Sequence, residues 1–556
     1  MESARENAPC FLDNFECPFP VTFFTGYVRV LSSSIRMPNS TVKHVFGPPQ
    51  PRKTEPERPF TFKPLMQFFK GKVVHPGVRA ALFTLCGFVS LTHSTSVEAQ
   101  ALRVRITVTS VAPARIRIDA EFPRAINVFS FRNTYGAVLG LAERIEILEA
   151  IKANGETIAV QKLAPGEFQT PEVVTRFKYE VNVTEPSRPA QMSHVSWLNG
   201  EQALLMLADL LPVPMKDSAS FTSALVTVDV PGGWTIASNV KKEGSQFLTD
   251  EPESTVFLMG PAVREKNQQI GSNSLSIITS GKWPFSDNDA IKIARQIIVE
   301  YSRVTRFDLK RNAVLMLVPF PGEAGPESWS AETRGNAVVL LLGQKASGKR
   351  VLSRLGIVLT HELFHLWVPN SLRLVGDYDW FFEGFTLYQA LRMDLRLGLI
   401  SFDDYLETIA RVYDSYLSSV DHDRLSLIEA SERRWTSPSS LVYEKGMLVA
   451  FIYDLSLRSL TECQASLDDV YGELFRLSLT GQGNANEIII KLLSEQHGLE
   501  SFAKDYVESA GKISLESQVS AYGIRVQDDG SGTRLIPGRN LNKGQRKLLG
   551  CIGYRR

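Results

Sequence analysis

The sequence predicts an α+β protein in which an N-terminal antiparallel β domain precedes an α+β domain with a helical C-terminal part. From Leu102 to about Ile278, apolar and polar residues alternate in runs such as RVRITV, RIRIDAEF, RFKYEVNV and ALVTVDV, separated by turn clusters such as PGGW at 231–234. Period two marks half-buried strands. The pattern changes at Trp283. Ser286 to Val304 has the spacing of an amphipathic helix with an N-capping Ser or Asp, and the apolar runs Asn312–Pro319 and Asn336–Leu342 read as buried strands. From Leu352 to about Gly511 helical signals dominate. Strands first and helices last suit an α+β architecture.

The composition sets outer bounds. At 556 residues with 44% hydrophobic and 22% charged content, the chain is globular material for about two or three domains. A formal net charge of +1, dispersed along the chain, gives no basic footprint for a nucleic-acid partner. The five cysteines, at 10, 17, 86, 463 and 551, show no ligand spacing, so neither a disulfide framework nor a cysteine metal site is indicated, and the sequence leaves room for one structural disulfide at most, Cys463–Cys551. Met66 opens a stretch with the zones of a secretory signal. Lys70, Lys72 and Arg79 precede the apolar run Ala80–Leu91, and Ala99-Gln100-Ala101 follows as a cleavage pattern. The run is too short for a stable membrane span, which needs about 20 residues. An exported protein, periplasmic or secreted, is therefore expected, with 1–65 as a disordered leader or over-extended start and 66–101 as the signal-like segment. The remaining expected divisions are a β-rich domain at 102–282, an α+β catalytic subdomain at 283–400, a helical subdomain at 401–515, and a short extension with a basic tail at 516–556. No feature of the sequence reports the oligomeric state.

The chemistry concentrates in Gly356–Trp367, GIVLTHELFHLW, which contains the HExxH pattern as His361-Glu362-Leu363-Phe364-His365. Residues four apart on a helix share a face, so both imidazoles can hold one Zn²⁺ while Glu362 reaches a water beside it as general base. No proline or glycine interrupts Ile357–Val368, which predicts one buried helix carrying both histidines. A catalytic zinc takes three protein ligands and keeps one position open. Glu383, 18 residues after His365 in a second helix expected to start near Asp379, is the natural third ligand. It stands among aromatics in Trp380-Phe381-Phe382-Glu383-Gly384-Phe385, where an unpaired carboxylate is costly to bury. Acidic neighbours that orient the histidine rings are expected on general grounds.

HELFHLW, WFFEGFT and the later Tyr443-Glu444-Lys445-Gly446 together resemble the glycyl aminopeptidases, metallopeptidase family sixty-one, and more distantly aminopeptidase N. The resemblance implies a thermolysin-like zincin domain of the gluzincin type, a peptide or protein substrate, and a role for Tyr443 in stabilising the tetrahedral intermediate. It covers roughly 102–525, with its specific motifs at 361–446. Two features depart from it. The Gly-x-Met-Glu-Asn strand of aminopeptidase N has no counterpart beyond Ser330–Asn336, where Glu332 offers a carboxylate to a substrate ammonium but reads first as an exposed loop residue. A PDZ domain, usual in the family, does not fit in the residues after Gly511. The expected function is a zinc-dependent peptidase, aminopeptidase-like, with a zinc endopeptidase or a catalytically silent peptide-binding scaffold as alternatives.

One rival motif lies upstream, where Gly343 to Lys349 matches a phosphate-binding GxxxxGK loop. Arg350 replaces the Ser or Thr that should bind Mg²⁺, which sets a cation where a cation must sit. The segment reads as a turn between strand and metal helix.

Overall fold

A computed structural model describes residues 101–556, apart from 137, 216–220, 323, 326, 327, 344–347, 435–439, 480, 497, 529, 531, 556 and the side chains of 349 and 350. The leader and, save Ala101, the signal-like segment lie outside the described residues, as does most of the GxxxxGK turn. That turn is bracketed by the strand Ala337–Leu342 and the helix Gly348–Glu362.

The alternating N-terminal runs pair into a ten-stranded sheet. Its centre runs Ala224–Asp229, Leu102–Val111, Ala114–Ser130, Glu167–Asn182 and Ile145–Ile151. All these neighbours are antiparallel except Leu102–Val111 with Ala224–Asp229, which run parallel from Leu102↔Ala224 to Thr107↔Asp229. A wholly antiparallel domain was expected; the long excursion between these two strands returns the chain beside its start in the same direction.

A second, four-stranded sheet explains why Ala203–Met206 is apolar at every position. Ala203 and Leu205 join the core under the large sheet, whereas Leu204 and Met206 join a separate core with Val314, Met316, Val339 and Leu341. A strand buried on both faces loses its polar alternation. The third sheet, of five strands, repeats this logic. Val314 and Met316 face the small sheet, while Leu315 and Leu317 face the helices. The described residues are thus layered as large sheet, small sheet, five-stranded sheet and helices.

The five-stranded sheet has the order Arg264–Ile270, Asn273–Thr279, Ala313–Pro319, Ala337–Leu342, Trp329–Arg334. Its first two strands fall within the residues expected for the β-rich domain, yet Leu275–Thr279 pairs in parallel with Ala313–Leu317, so hydrogen bonding carries this sheet back past residue 283. Trp329–Arg334 forms an edge, antiparallel to Ala337–Leu342.

The helix Asp287–Thr305 begins where the sequence signals it. Ser286 Oγ accepts from the Asp289 backbone N–H, and the Asp289 carboxylate accepts from Ser286 N–H, closing a capping box. Ser286→Ala is expected to cost about 1 kcal/mol, read as a lower urea midpoint. Further on, Leu441–Leu460 is buried almost all round at the centre of the helical part. Near its C-terminal end a Cys463–Cys551 disulfide is formed, tying the last helix, Lys543–Cys551, to the helical core across a separation of 88 residues. Among the described residues, no helix is long and apolar enough to cross a membrane.

Candidate metal centre

The α-helix Gly348–Glu362 passes directly into a 3₁₀ turn, Leu363–Leu366, so the HExxH pattern does not lie on one continuous α-helix as expected. His361 stands on the α-helical turn and His365 on the 3₁₀ turn. The tightening keeps them together, with Nε2 atoms 3.1 Å apart. It also brings the Val368 carbonyl to the His365 ring, and Nδ1–H donates to it at 3.0 Å. His365 is therefore oriented by a backbone carbonyl rather than by the expected carboxylate. His361 Nδ1 is buried without a hydrogen-bond partner among the described residues.

The helix expected near Asp379 begins as a π-helical turn, Trp380–Phe385, and becomes α-helical only at Thr386. Such turns are frequent at functional sites. Here it carries Glu383, whose Oε2 lies 3.8 Å from His361 Nε2 and 3.6 Å from His365 Nε2. The three ligand atoms lie within 4.8 Å of one another, a cluster that could hold a metal ion. The donor chemistry fits. Burial, reinforced by the neighbouring His365, lowers the His361 pKa well below its ordinary value, and a metal ligand must be an unprotonated imidazole. With His365 Nδ1 committed to Val368, its Nε2 is an acceptor facing another ring nitrogen, a pairing that needs a proton or a cation between them.

Glu362 is buried beside this cluster. Desolvation pushes its pKa up to about 7, with Glu332 and Glu383 adding to the rise and His365 and Thr333 opposing it. Thr333, on the edge strand, lies with its Oγ1 2.8 Å from Glu362 Oε2 and 3.0 Å from the Glu362 carbonyl, pinning the carboxyl against the sheet.

Glu332 is not an exposed loop residue. It sits in the edge strand Trp329–Arg334 with its side chain only 16% exposed. His194 Nδ1 and the Tyr135 hydroxyl, both from the β-rich part, hydrogen-bond to its two oxygens. Burial acts to raise its pKa, but the charge and hydrogen bond of His194, with Arg334 and Tyr135, bring it down to about 2. Its partners lie 138 and 197 residues away, so no local pattern could reveal them.

Tyr443 reaches the site because two glycines let its helix approach. A Cβ on Gly384 would meet Val442 O at 2.5 Å and Gly446 Cα at 2.6 Å, and one on Gly446 would meet Trp380 O at 2.7 Å. The glycines of the WFFEGF and YEKG motifs thus form the crossing of the π-helical turn with Leu441–Leu460. Burial raises the Tyr443 pKa, helped by Glu383, so the phenol keeps its proton and can donate it in a hydrogen bond. Sequence reasoning missed Arg434, which donates to Tyr443 OH at 2.6 Å and to Glu383 Oε1 at 2.9 Å. Nothing in SERRWTS marks this arginine among its neighbours.

The family model of the M61 glycyl aminopeptidases matches residues 355–449, from the metal helix to just beyond the YEKG motif. No curated protein matches the chain. A solved structure of an aminopeptidase N family protein from Idiomarina loihiensis is similar at a TM-score of 0.66 and 19% identity, covering 77% of this chain and 79% of that one. An M1 zinc metallopeptidase from Deinococcus radiodurans is similar at a TM-score of 0.47 and 12% identity, over 75% of this chain and 94% of that one. The chain resembles the M61 glycyl aminopeptidases in the segment that builds its site, and more distantly aminopeptidase N, in an α+β fold with an N-terminal β domain and a helical C-terminal part.

Proposed function

We propose that the chain is a zinc-dependent peptidase, aminopeptidase-like, with His361, His365 and Glu383 as metal ligands, Glu362 as general base and Tyr443 as oxyanion stabiliser. The observation that carries this reading is the meeting of two imidazole nitrogens and one carboxylate oxygen beside a buried carboxyl whose pKa stands at about 7. When bound, zinc supplies a Lewis acid that acidifies water and polarises a carbonyl. Glu362 takes the proton of the attacking water and passes it to the leaving amine; a base serves best with a pKa near working pH. Thr333 holds the Glu362 carboxyl in place for that transfer. The Tyr443 O–H points its dipole at the developing oxyanion, a contribution of about 3 kcal/mol per donor.

Glu332 bears on where the enzyme cuts. As a buried carboxylate near the site it offers an anion for a substrate's free ammonium, which supports exopeptidase action. Its engagement by His194 and Tyr135 favours the second reading, an endopeptidase in which those contacts are structural. Matched peptides with free and acetylated N-termini, incubated with zinc-loaded protein, separate the readings. Cleavage confined to the free peptides is expected, and equal cleavage of both means an endopeptidase. A zinc-loaded protein that cuts neither is a silent scaffold.

The signal-like order in 66–101 supports a further proposal, export with a mature chain starting near Leu102. N-terminal sequencing of the mature protein tests it, and a chain still beginning at Met1 or Glu2 refutes it.

A further inference from the structure

Arg434 lies just after the short helix Leu427–Glu432, and its guanidinium is only 14% exposed. Its Nη1 donates to Asp379 Oδ1. Its Nη2 donates to Glu383 Oε1 at 2.9 Å and to the Tyr443 hydroxyl oxygen at 2.6 Å. An Nη nitrogen carries two hydrogens, so both are assigned, one to the candidate metal ligand and one to the candidate oxyanion stabiliser. Two consequences follow from the donor chemistry alone. With Oε1 of Glu383 held by Arg434, it is Oε2 that faces the histidine Nε2 atoms, at 3.6 and 3.8 Å. Because a guanidinium has five donors and no acceptor, the Tyr443 proton cannot be given back to Arg434 and must point elsewhere.

We propose that Arg434 is a positioning residue of the reaction, fixing with one nitrogen both the Glu383 oxygen offered to the metal and the direction of the Tyr443 O–H. The inference rests on the peptidase reading above. Asp379 adds a second carboxylate to the guanidinium beside Glu383 and anchors it from the other nitrogen. A planar fork suits this task and an ammonium does not, since Lys is a point charge on a flexible stem. The competing view is that Arg434 only anchors its loop to Asp379.

The full chain carrying Arg434→Ala or Arg434→Lys, alone and with Tyr443→Phe, tests this through zinc affinity by chelator competition and through kcat and KM separately. Expected for Arg434→Ala are a zinc Kd weakened about 10–100-fold and a kcat lowered about 100-fold with KM little changed. In the Tyr443→Phe background the kcat loss should shrink, because the shared step is already gone. Low concentrations of guanidinium chloride should restore part of the kcat of Arg434→Ala and none of that of Tyr443→Phe. Arg434→Lys keeps the charge and guards against a variant that fails to fold; it should melt close to the parent yet show the same kcat defect. Parental zinc affinity and kcat in a folded Arg434 variant would overturn the proposal, as would an undiminished loss in the Tyr443→Phe background without guanidinium rescue. If the parent binds zinc but cuts no peptide, the peptidase reading fails, while the zinc Kd of the Arg434 variants still decides the Glu383 half.

Discussion

Glu362→Gln is expected to bind zinc like the parent and to hydrolyse peptides about 10²–10⁴-fold more slowly, the usual worth of a positioned general base. The substitution keeps shape and hydrogen bonding, because the amide carbonyl can still pair with Thr333 Oγ1, now 2.8 Å from Glu362 Oε2. It removes only the ability to take and return a proton. It also spares the protein the cost of burying a carboxyl whose pKa desolvation has driven to about 7, so the variant should melt no lower than the parent. The loss should therefore fall on kcat, with zinc content by elemental analysis unchanged. Turnover equal to the parent's would remove Glu362 from the mechanism.

Gly446→Ala is expected to destabilise the fold and slow catalysis together, although its local effect points the other way. Within a helix, Gly→Ala stabilises by about 1 kcal/mol. Against that, the new methyl would sit 2.7 Å from Trp380 O and 3.0 Å from Gly384 Cα, both backbone atoms that cannot rotate aside. Overpacking of this kind costs about 1–3 kcal/mol or more, so the net sign is unfavourable. The functional loss has a separate cause. The two elements can separate only by moving Tyr443 away from Glu383, and a misplacement of about 1 Å can cost 100-fold in rate. Gly384→Ala, with contacts of 2.5 and 2.6 Å, should be worse. Denaturation midpoints and kcat measured on both variants check this; a Gly446→Ala protein more stable than the parent would show that the crossing has slack.

How much of the site could be read from sequence depended on whether a feature was local. HELFH and WFFEGF are contiguous, so their residue types and spacing pointed to three candidate ligands and a candidate base; the His361, His365 and Glu383 ligand atoms lie within 4.8 Å of one another, with Glu362 buried beside them. Tyr443 needed a resemblance to be noticed, since a tyrosine on an apolar helix looks like core. Arg434 meets Glu383 from 51 residues away, and that contact is created by folding. Glu332 was misplaced for a related reason. WSAETR sets only Trp329 and Ala331 against the helical core, while Glu332 meets Tyr135 and His194 from far away in the sequence, so a partly buried strand edge reads as a polar loop. The fold class followed from periodicity, but REKNQQI at 264–270 is polar up to its last residue and gives no hint of which sheet it joins; that depends on the parallel pairing of the next strand with Ala313–Pro319.

The Cys463–Cys551 bond turns everything between its ends into a closed ring of chain that also includes the hairpin Ile524–Pro537. A single backbone cut anywhere inside that ring yields two polypeptides that remain one covalent molecule. They migrate together on a denaturing gel and part only when a thiol is added. Limited proteolysis of the C-terminal region, compared with and without reductant, therefore reads the oxidation state of this protein wherever it is isolated.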